Sequence, residues 1–146
     1  MANNKKDVLS LQPGWQVTGL ALLRIFTGLL MTYHGWEVFD AGKMAEYAKW
    51  DVIKTLPAPS YIAYLGKGLE LVSGVLLVLG LFTRIAALFM AISMLFICFK
   101  IGTGKFYYDD QHPFLFAMLA LVFFCTGPVK WSLDQVFFKT GFRRRY

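Results

Sequence analysis

The hydrophobic positions of this chain gather in four long apolar stretches separated by polar connections. A helix needs about 20 mainly apolar residues to cross the hydrocarbon core of a bilayer. The stretches therefore predict membrane-spanning helices at residues 17–39, 61–82, 85–101 and 113–126. The last two are short, and we expect them to extend into the glycine and histidine residues beside them.

The polar connections predict two shorter helices outside the spans. In "KMAEYAKWDVIK", Met44 and Tyr47 stand at helical spacing among charged residues, which favours a helix lying on the outer membrane surface. After the fourth span the chain breaks at Gly127-Pro128 and restarts, and Ser132 with Gln135 fits a capping box. We expect this second helix to lie at the membrane interface as well.

The composition also indicates that a bilayer is the solvent. The chain has 57% hydrophobic and 16% charged residues, whereas a soluble domain has roughly 25% charged residues. We expect no contact with nucleic acid, because such a chain has no soluble basic face to present. Pattern and composition together predict an all-α integral membrane four-helix bundle with a short outer interfacial helix and a C-terminal interfacial helix. It would form one domain over residues 1–146, with a basic cytoplasmic tail at residues 129–146.

The lysines and arginines predict the orientation of this bundle. With four spans, both termini and the link between the second and third spans share one side, which carries eight Lys and Arg residues against five on the other. Positive residues favour the cytoplasmic side. We therefore expect a multi-pass protein of the bacterial cytoplasmic (inner) membrane with both termini inside, whose basic face attracts anionic lipids.

Two ionisable residues lie deep within the apolar stretches. At about 1.5 Å per residue, Arg24 lies roughly 11 Å from the cytoplasmic end of the first span, and Glu70 roughly 14 Å from the outer end of the second. The depths nearly match, and an unpaired charge in a membrane is costly. The sequence therefore predicts a buried ion pair between Arg24 and Glu70. Its role would be either functional or only to lock the two spans together.

A ligand pocket is the functional form of this hypothesis. His34, Lys67 and Glu70 all fall between the midplane and the outer surface, and Tyr33 or Trp36 would add an aromatic wall. Apolar walls with a few convergent polar groups suit a small amphiphile such as a quinone. In the alternative, these side chains satisfy one another and leave no cavity, and Lys67 extends toward the interface or shares the Glu70 carboxylate.

Metal and thiol chemistry have weaker support in the sequence. His34 and His112 on different spans could bracket a haem iron, but no further ligand motif accompanies them, so haem is the less favoured reading. Cys98 and Cys125 form no CxxC motif. We predict no metal site, and the residues alone leave catalysis undecided.

The chain resembles the DoxX family of small four-span membrane proteins. The resemblance runs from about Leu20 to Phe138 and rests on "LRIFTGLLMTYHGWEVF", "LPAPSYIAYLGKGLELVSGVLLVLGLFTRIAAL" and "GPVKWSLDQVF". It implies a relation to membrane subunits of a thiosulfate:quinone oxidoreductase and to other membrane redox complexes. It also implies a site at Arg24 and Glu70 with His34 and Lys67, without implying that this chain is catalytic.

Three functions follow as alternatives. The first, which we favour, is an accessory membrane subunit of a redox complex that binds a quinone or lipid near the outer leaflet and docks other membrane or redox proteins. The second is a non-catalytic membrane scaffold or lipid-binding protein. The third is a small-molecule transporter, which the absence of inverted repeats and broken helices disfavours.

Overall fold

Six α-helices make up most of the chain in the computed structural model, which describes residues 13–138. The helices are α1 (Pro13–Gly35), α2 (Ala41–Tyr47), α3 (Pro59–Leu79), α4 (Thr83–Phe96), α5 (Gln111–Thr126) and α6 (Leu133–Phe137). Short 3-10 turns cover Trp36–Phe39 and Ile53–Thr55, and a π-helical turn, Ile97–Ile101, continues α4. The described residues contain no strand, and the all-α prediction is confirmed.

The apolar helices match the predicted spans closely. Three segments, Gly14–Phe39, Pro59–Leu79 and Thr83–Ile101, are long and apolar enough to cross a membrane. Helix α5 is equally apolar but has 16 residues, which is about 24 Å of helix against a hydrocarbon core of about 30 Å. The basic residues of the chain end from 139 onward lie outside the described residues.

Glycines set the register between α1 and α3, which run antiparallel and pack closely. A Cβ on Gly28 would lie 2.8 Å from the Gly74 carbonyl oxygen, and a Cβ on Gly74 would lie 2.5 Å from the Thr32 amide nitrogen. About two turns after Gly28 on α1, Gly35 lies directly against the backbone of Leu71. Small residues allow such close approach between membrane helices. These close contacts therefore fix the axial register of the two antiparallel helices.

Helices α4 and α5 complete the bundle. Helix α4 packs against α3 on one side and α5 on the other, and α1 and α5 come together near His34 and His112. The core is built from methionine, alanine, leucine and phenylalanine side chains: Met31, Leu77, Ala86, Ala87, Met90, Ala91, Met94, Phe116, Ala117, Ala120 and Phe123. The alanines keep the helix axes close, and the larger side chains fill the space between them.

The first connection forms a helix as predicted, but a shorter one. Asp40 caps α2 by accepting hydrogen bonds from the Gly42 and Lys43 amides at 2.9 and 3.1 Å. The helix ends at Tyr47, and one 3-10 turn follows at Ile53–Thr55. Met44 is almost fully buried, so the segment is held against α3 rather than exposed on all sides.

The end of the described chain folds back over the bundle. Asp134, in α6, accepts hydrogen bonds from the Phe82 amide (2.6 Å), the Thr83 amide (2.9 Å) and the Thr83 hydroxyl (2.8 Å). A residue about 50 positions away therefore caps the start of α4. The predicted capping box does not form, because the buried Ser132 hydroxyl has no hydrogen-bond partner among the described residues.

Candidate functional site

Lys67 belongs to a network of four charged groups. Its ammonium nitrogen lies 2.9 Å from Glu70 Oε2 and 3.1 Å from Glu37 Oε2. Lys43 contacts the other Glu37 oxygen, Oε1, at 2.6 Å. Two cations and two carboxylates thus balance each other at the end of the bundle that contains His34, which we call the histidine end.

Tyr47 from α2 completes this network. Its hydroxyl donates a 2.7 Å hydrogen bond to Glu37 Oε2, and Lys67 Nζ lies 5.3 Å from the centre of its ring. Burial, followed by the Glu37 hydrogen bond, raises the pKa of Tyr47 above its ordinary value. Tyr47 therefore remains a hydrogen-bond donor at neutral pH.

Arg24 and Glu70 are not brought together, contrary to the sequence prediction. Arg24 is fully buried, and its Nη2 donates to the Trp131 carbonyl oxygen at 2.7 Å. Its guanidinium lies against Gly80, at the C-terminal end of α3, whereas Glu70 lies in the middle of that helix. Ten residues of helix separate those two positions, about 15 Å. The described residues contain no ion pair between Arg24 and Glu70.

The register of α1 against α3 explains the difference. Gly28 packs against Val78, and Gly35 packs against Leu71. This register places Arg24 beside Gly80 and places the start of the 3-10 turn Trp36–Phe39 beside Glu70. The predicted pairing required both spans to begin at the membrane surface, whereas Arg24 lies nearly three helical turns along α3 from Glu70.

Arg24 belongs to a second, structural cluster. Asp134 is the nearby carboxylate that attracts its charge. Nε and Nη1 of Arg24 have no hydrogen-bond partner within residues 13–138. Arg24 thus connects α1 to the C-terminal segment, and this cluster lies far from the histidine end.

A cavity of about 430 Å³ lies beside the charged network. His34, Lys67 and Glu70, which the sequence grouped, all line it. Most of its wall is apolar and comes from α3, α4 and the π turn, including Ile62, Leu65, Leu69, Ile92, Met94, Phe96, Ile97 and Ile101. The cavity therefore has a charged end and an apolar body.

The aromatic wall of this cavity comes from residues that the sequence analysis did not assign to it. Tyr47 and Trp50, from the first connection, line the cavity. Tyr33 and Trp36 instead line a separate depression with Glu37, Asp40 and Lys43. The side chains of Tyr33 and Trp36 point away from the bundle and are largely exposed, because α1 presents its other face to α3.

Glu37 is the main participant that sequence reasoning missed. It had no obvious role at the end of the first span, yet it bridges Lys43, Tyr47 and Lys67. A signal was available, since Glu37 follows His34 by three residues and so shares its helical face. Its partner Lys67 precedes Glu70 by the same spacing.

Two histidine rings are in contact beside the charged network. The His34 and His112 rings have centroids 5.4 Å apart, with an interplanar angle of 66°. Both line the cavity, and Phe116 packs against both rings. A haem held by both would need its porphyrin plane between them, and two rings in contact leave no space for it.

The fold and site define an α-helical membrane protein with a cavity among its spans. The chain belongs to the DoxX family, whose family model matches residues 19–103. It is 28% identical over 123 residues to a protein of Bacillus subtilis (strain 168) named "Putative oxidoreductase CatD", and the match covers 83% of this chain and 88% of that protein. No solved structure matches the chain.

Proposed function

We propose that this protein is the membrane component of a redox system and that it binds a quinone in the cavity at the histidine end. The observation that carries the proposal is the shape and chemistry of that cavity. Its volume of about 430 Å³ falls within the range of about 300–1,000 Å³ that is usual for small-molecule sites. An isoprenoid quinone has a polar ring and an apolar tail, which correspond to the charged end and the apolar body.

The relative supports a redox role without fixing the ligand. The Bacillus subtilis protein carries the name "Putative oxidoreductase CatD", and the match covers 83% of this chain. In the proposal, electrons enter or leave through the bound ring, and a partner redox protein exchanges them. The chain is then an accessory subunit that holds a membrane-soluble ligand for its partner.

The orientation of the bundle is part of the proposal. We propose that α5 is the fourth span, that the membrane is the bacterial inner membrane, and that both termini are cytoplasmic. The histidine end then faces the outer leaflet. To test it, we would label Asn3→Cys and Tyr108→Cys in intact cells, in a chain whose Cys98 and Cys125 are replaced by alanine. Labelling of position 108 alone from outside is expected, and equal labelling of both would contradict the topology.

Ligand identification is the direct test of function. The protein would be extracted from native membranes with its surrounding lipid, and its bound small molecules identified by mass spectrometry. A quinone retained at close to one molecule per chain supports the proposal. Retention of a phospholipid alone would favour the lipid-binding scaffold instead, because the same cavity could hold an acyl chain.

Two glycines of α3 provide a matched pair of variants. An added Cβ at either Gly66 or Gly68 meets nothing within 4 Å, but only Gly66 lines the cavity. Gly66→Leu should therefore fill part of the cavity and displace the quinone, whereas Gly68→Leu should leave its retention unchanged. Equal retention by both variants would mean that the ligand binds elsewhere.

A further inference from the structure

The two oxygens of Glu70 have different surroundings. Oε2 accepts the hydrogen bond from Lys67 at 2.9 Å. Oε1 accepts no hydrogen bond from any residue in 13–138, although the side chain is only 3% exposed and lines the cavity. The fully buried polar side-chain atoms without a partner within residues 13–138 belong to Arg24 and Ser132, so Glu70 Oε1 is accessible from the cavity. The cavity therefore presents a strong hydrogen-bond acceptor without a donor.

Lys67, the strongest donor nearby, is already occupied. Its ammonium has three N–H donors. Two carboxylates, Glu37 and Glu70, lie at 3.1 and 2.9 Å, and the centre of the Tyr47 ring lies at 5.3 Å. The Tyr47 hydroxyl is directed to Glu37 as well. Both groups already donate to carboxylates.

The histidines add acceptor capacity at the same end. Neither His34 nor His112 forms a hydrogen bond with the part of the chain that the structure describes, and both line the cavity. A neutral imidazole offers one acceptor nitrogen and one donor nitrogen. With Glu70 Oε1, the polar end has three acceptor positions for a ligand, and each neutral imidazole also has one N–H donor. Only Glu70 among these groups provides a carboxylate acceptor.

We infer that the group bound at Glu70 is a ring hydroxyl, so that the cavity prefers a hydroquinone to the corresponding quinone. This inference rests on the proposed function. A hydroxyl can donate to Glu70 Oε1 in a charge-assisted hydrogen bond, which is about twice as strong as a neutral one. The carbonyl oxygen of a quinone has no proton to donate and is repelled by the carboxylate. No electron moves in this step, and binding alone distinguishes the two forms.

The test compares the two redox forms of one probe. A short-chain benzoquinone and its hydroquinone would be titrated without oxygen into the full-length protein in lipid nanodiscs. We expect the hydroquinone to bind at least about tenfold more tightly, as for one hydrogen bond to a charged group. In Glu70→Gln the preference should fall to about threefold or less, mainly through weaker hydroquinone binding.

A matched variant makes the same chemical change elsewhere. Glu46 is an exposed carboxylate on α2 that does not line the cavity, so Glu46→Gln should keep the full preference. Equal or tighter quinone binding by the unmodified protein would overturn the inference while leaving the proposed function intact. The comparison of the two probes in the unmodified protein tests the inference even where Glu70→Gln does not fold. An unchanged preference in a folded Glu70→Gln would also overturn it, and failure of both probes to bind would overturn the proposed function with it.

Discussion

The Arg24 guanidinium occupies the space that a side chain on Gly80 would need. A Cβ at Gly80 would lie 2.7 Å from Arg24 Cζ and 2.6 Å from the Ser132 Cβ, and Gly80 has a φ of +63°. This glycine ends α3 in the left-handed conformation, which residues with a Cβ rarely adopt. The buried arginine, the end of α3 and the C-terminal segment therefore depend on one another.

Gly80→Ala should be strongly destabilising, because it combines backbone strain with a clash against a side chain that is already fully buried. We expect a loss of about 2 kcal/mol or more, measured by thermal or denaturant unfolding in detergent micelles. Gly68→Ala is the control, since its Cβ meets nothing within 4 Å. That variant should be neutral or slightly stabilising, because alanine favours a helix. Equal effects of the two would contradict the packing described for Arg24.

Gly35→Ala should separate α1 from α3 at the histidine end. The new Cβ would overlap the backbone of Leu71 and would lie 2.8 Å from the Leu71 Cβ. A clash with backbone atoms cannot be relieved by a rotamer change. We expect a lower melting temperature and weaker ligand retention together. Gly19→Ala, on the same helix with open space at its Cβ, should change neither property.

Double-mutant cycles distinguish the observed ion pair from the predicted one. Lys67→Met and Glu70→Gln should be non-additive by about 1–3 kcal/mol, because the two charges are in contact. Arg24→Met and Glu70→Gln should be additive to within about 0.5 kcal/mol, because distant sites act independently. Coupling between Arg24 and Glu70 as large as that between Lys67 and Glu70 would contradict the register of α1 and α3.

Asp134→Asn should weaken the attachment of the C-terminal segment. The carboxylate accepts three hydrogen bonds at the start of α4, and an amide can neither carry the charge nor accept on both sides. We expect a loss of about 2 kcal/mol in the free energy of unfolding. Asp109→Asn, at an exposed position, should stay within about 0.5 kcal/mol of the original protein.

Tyr47→Phe should reveal the stabilising hydrogen bond to Glu37 through its pH dependence. The folded pKa of Tyr47 is raised above that of the unfolded chain, mainly by burial. The contribution of its hydroxyl is therefore fully present below the unfolded pKa of about 10 and is lost as the pH rises toward the folded pKa. The stability difference between the two proteins should be about 1 kcal/mol at neutral pH and should shrink above pH about 10. A difference that does not change with pH would contradict the assignment.

The sequence by itself determined where the apolar helices lie, their approximate limits and the group formed by His34, Lys67 and Glu70. Apolar length decides the first two, because a helix in a bilayer must satisfy its own backbone hydrogen bonds over the whole crossing. Local spacing brings Lys67 next to Glu70, since residues three apart on a helix are neighbours. None of these features depends on how one helix slides against another.

Only the tertiary structure decided which residue Arg24 meets, and it placed Glu37, Tyr47 and Trp50 at the site. The axial register of α1 and α3 follows from the close fit of Gly28, Gly35 and Gly74 against the opposite backbone. Apolar patterns leave that register open, because a helix shifted by one or two turns still buries an apolar face. The folding back of residues 131–134 onto Arg24 and α4 likewise depends on contacts across more than 50 positions of the chain, and such contacts leave no periodic signal in the sequence.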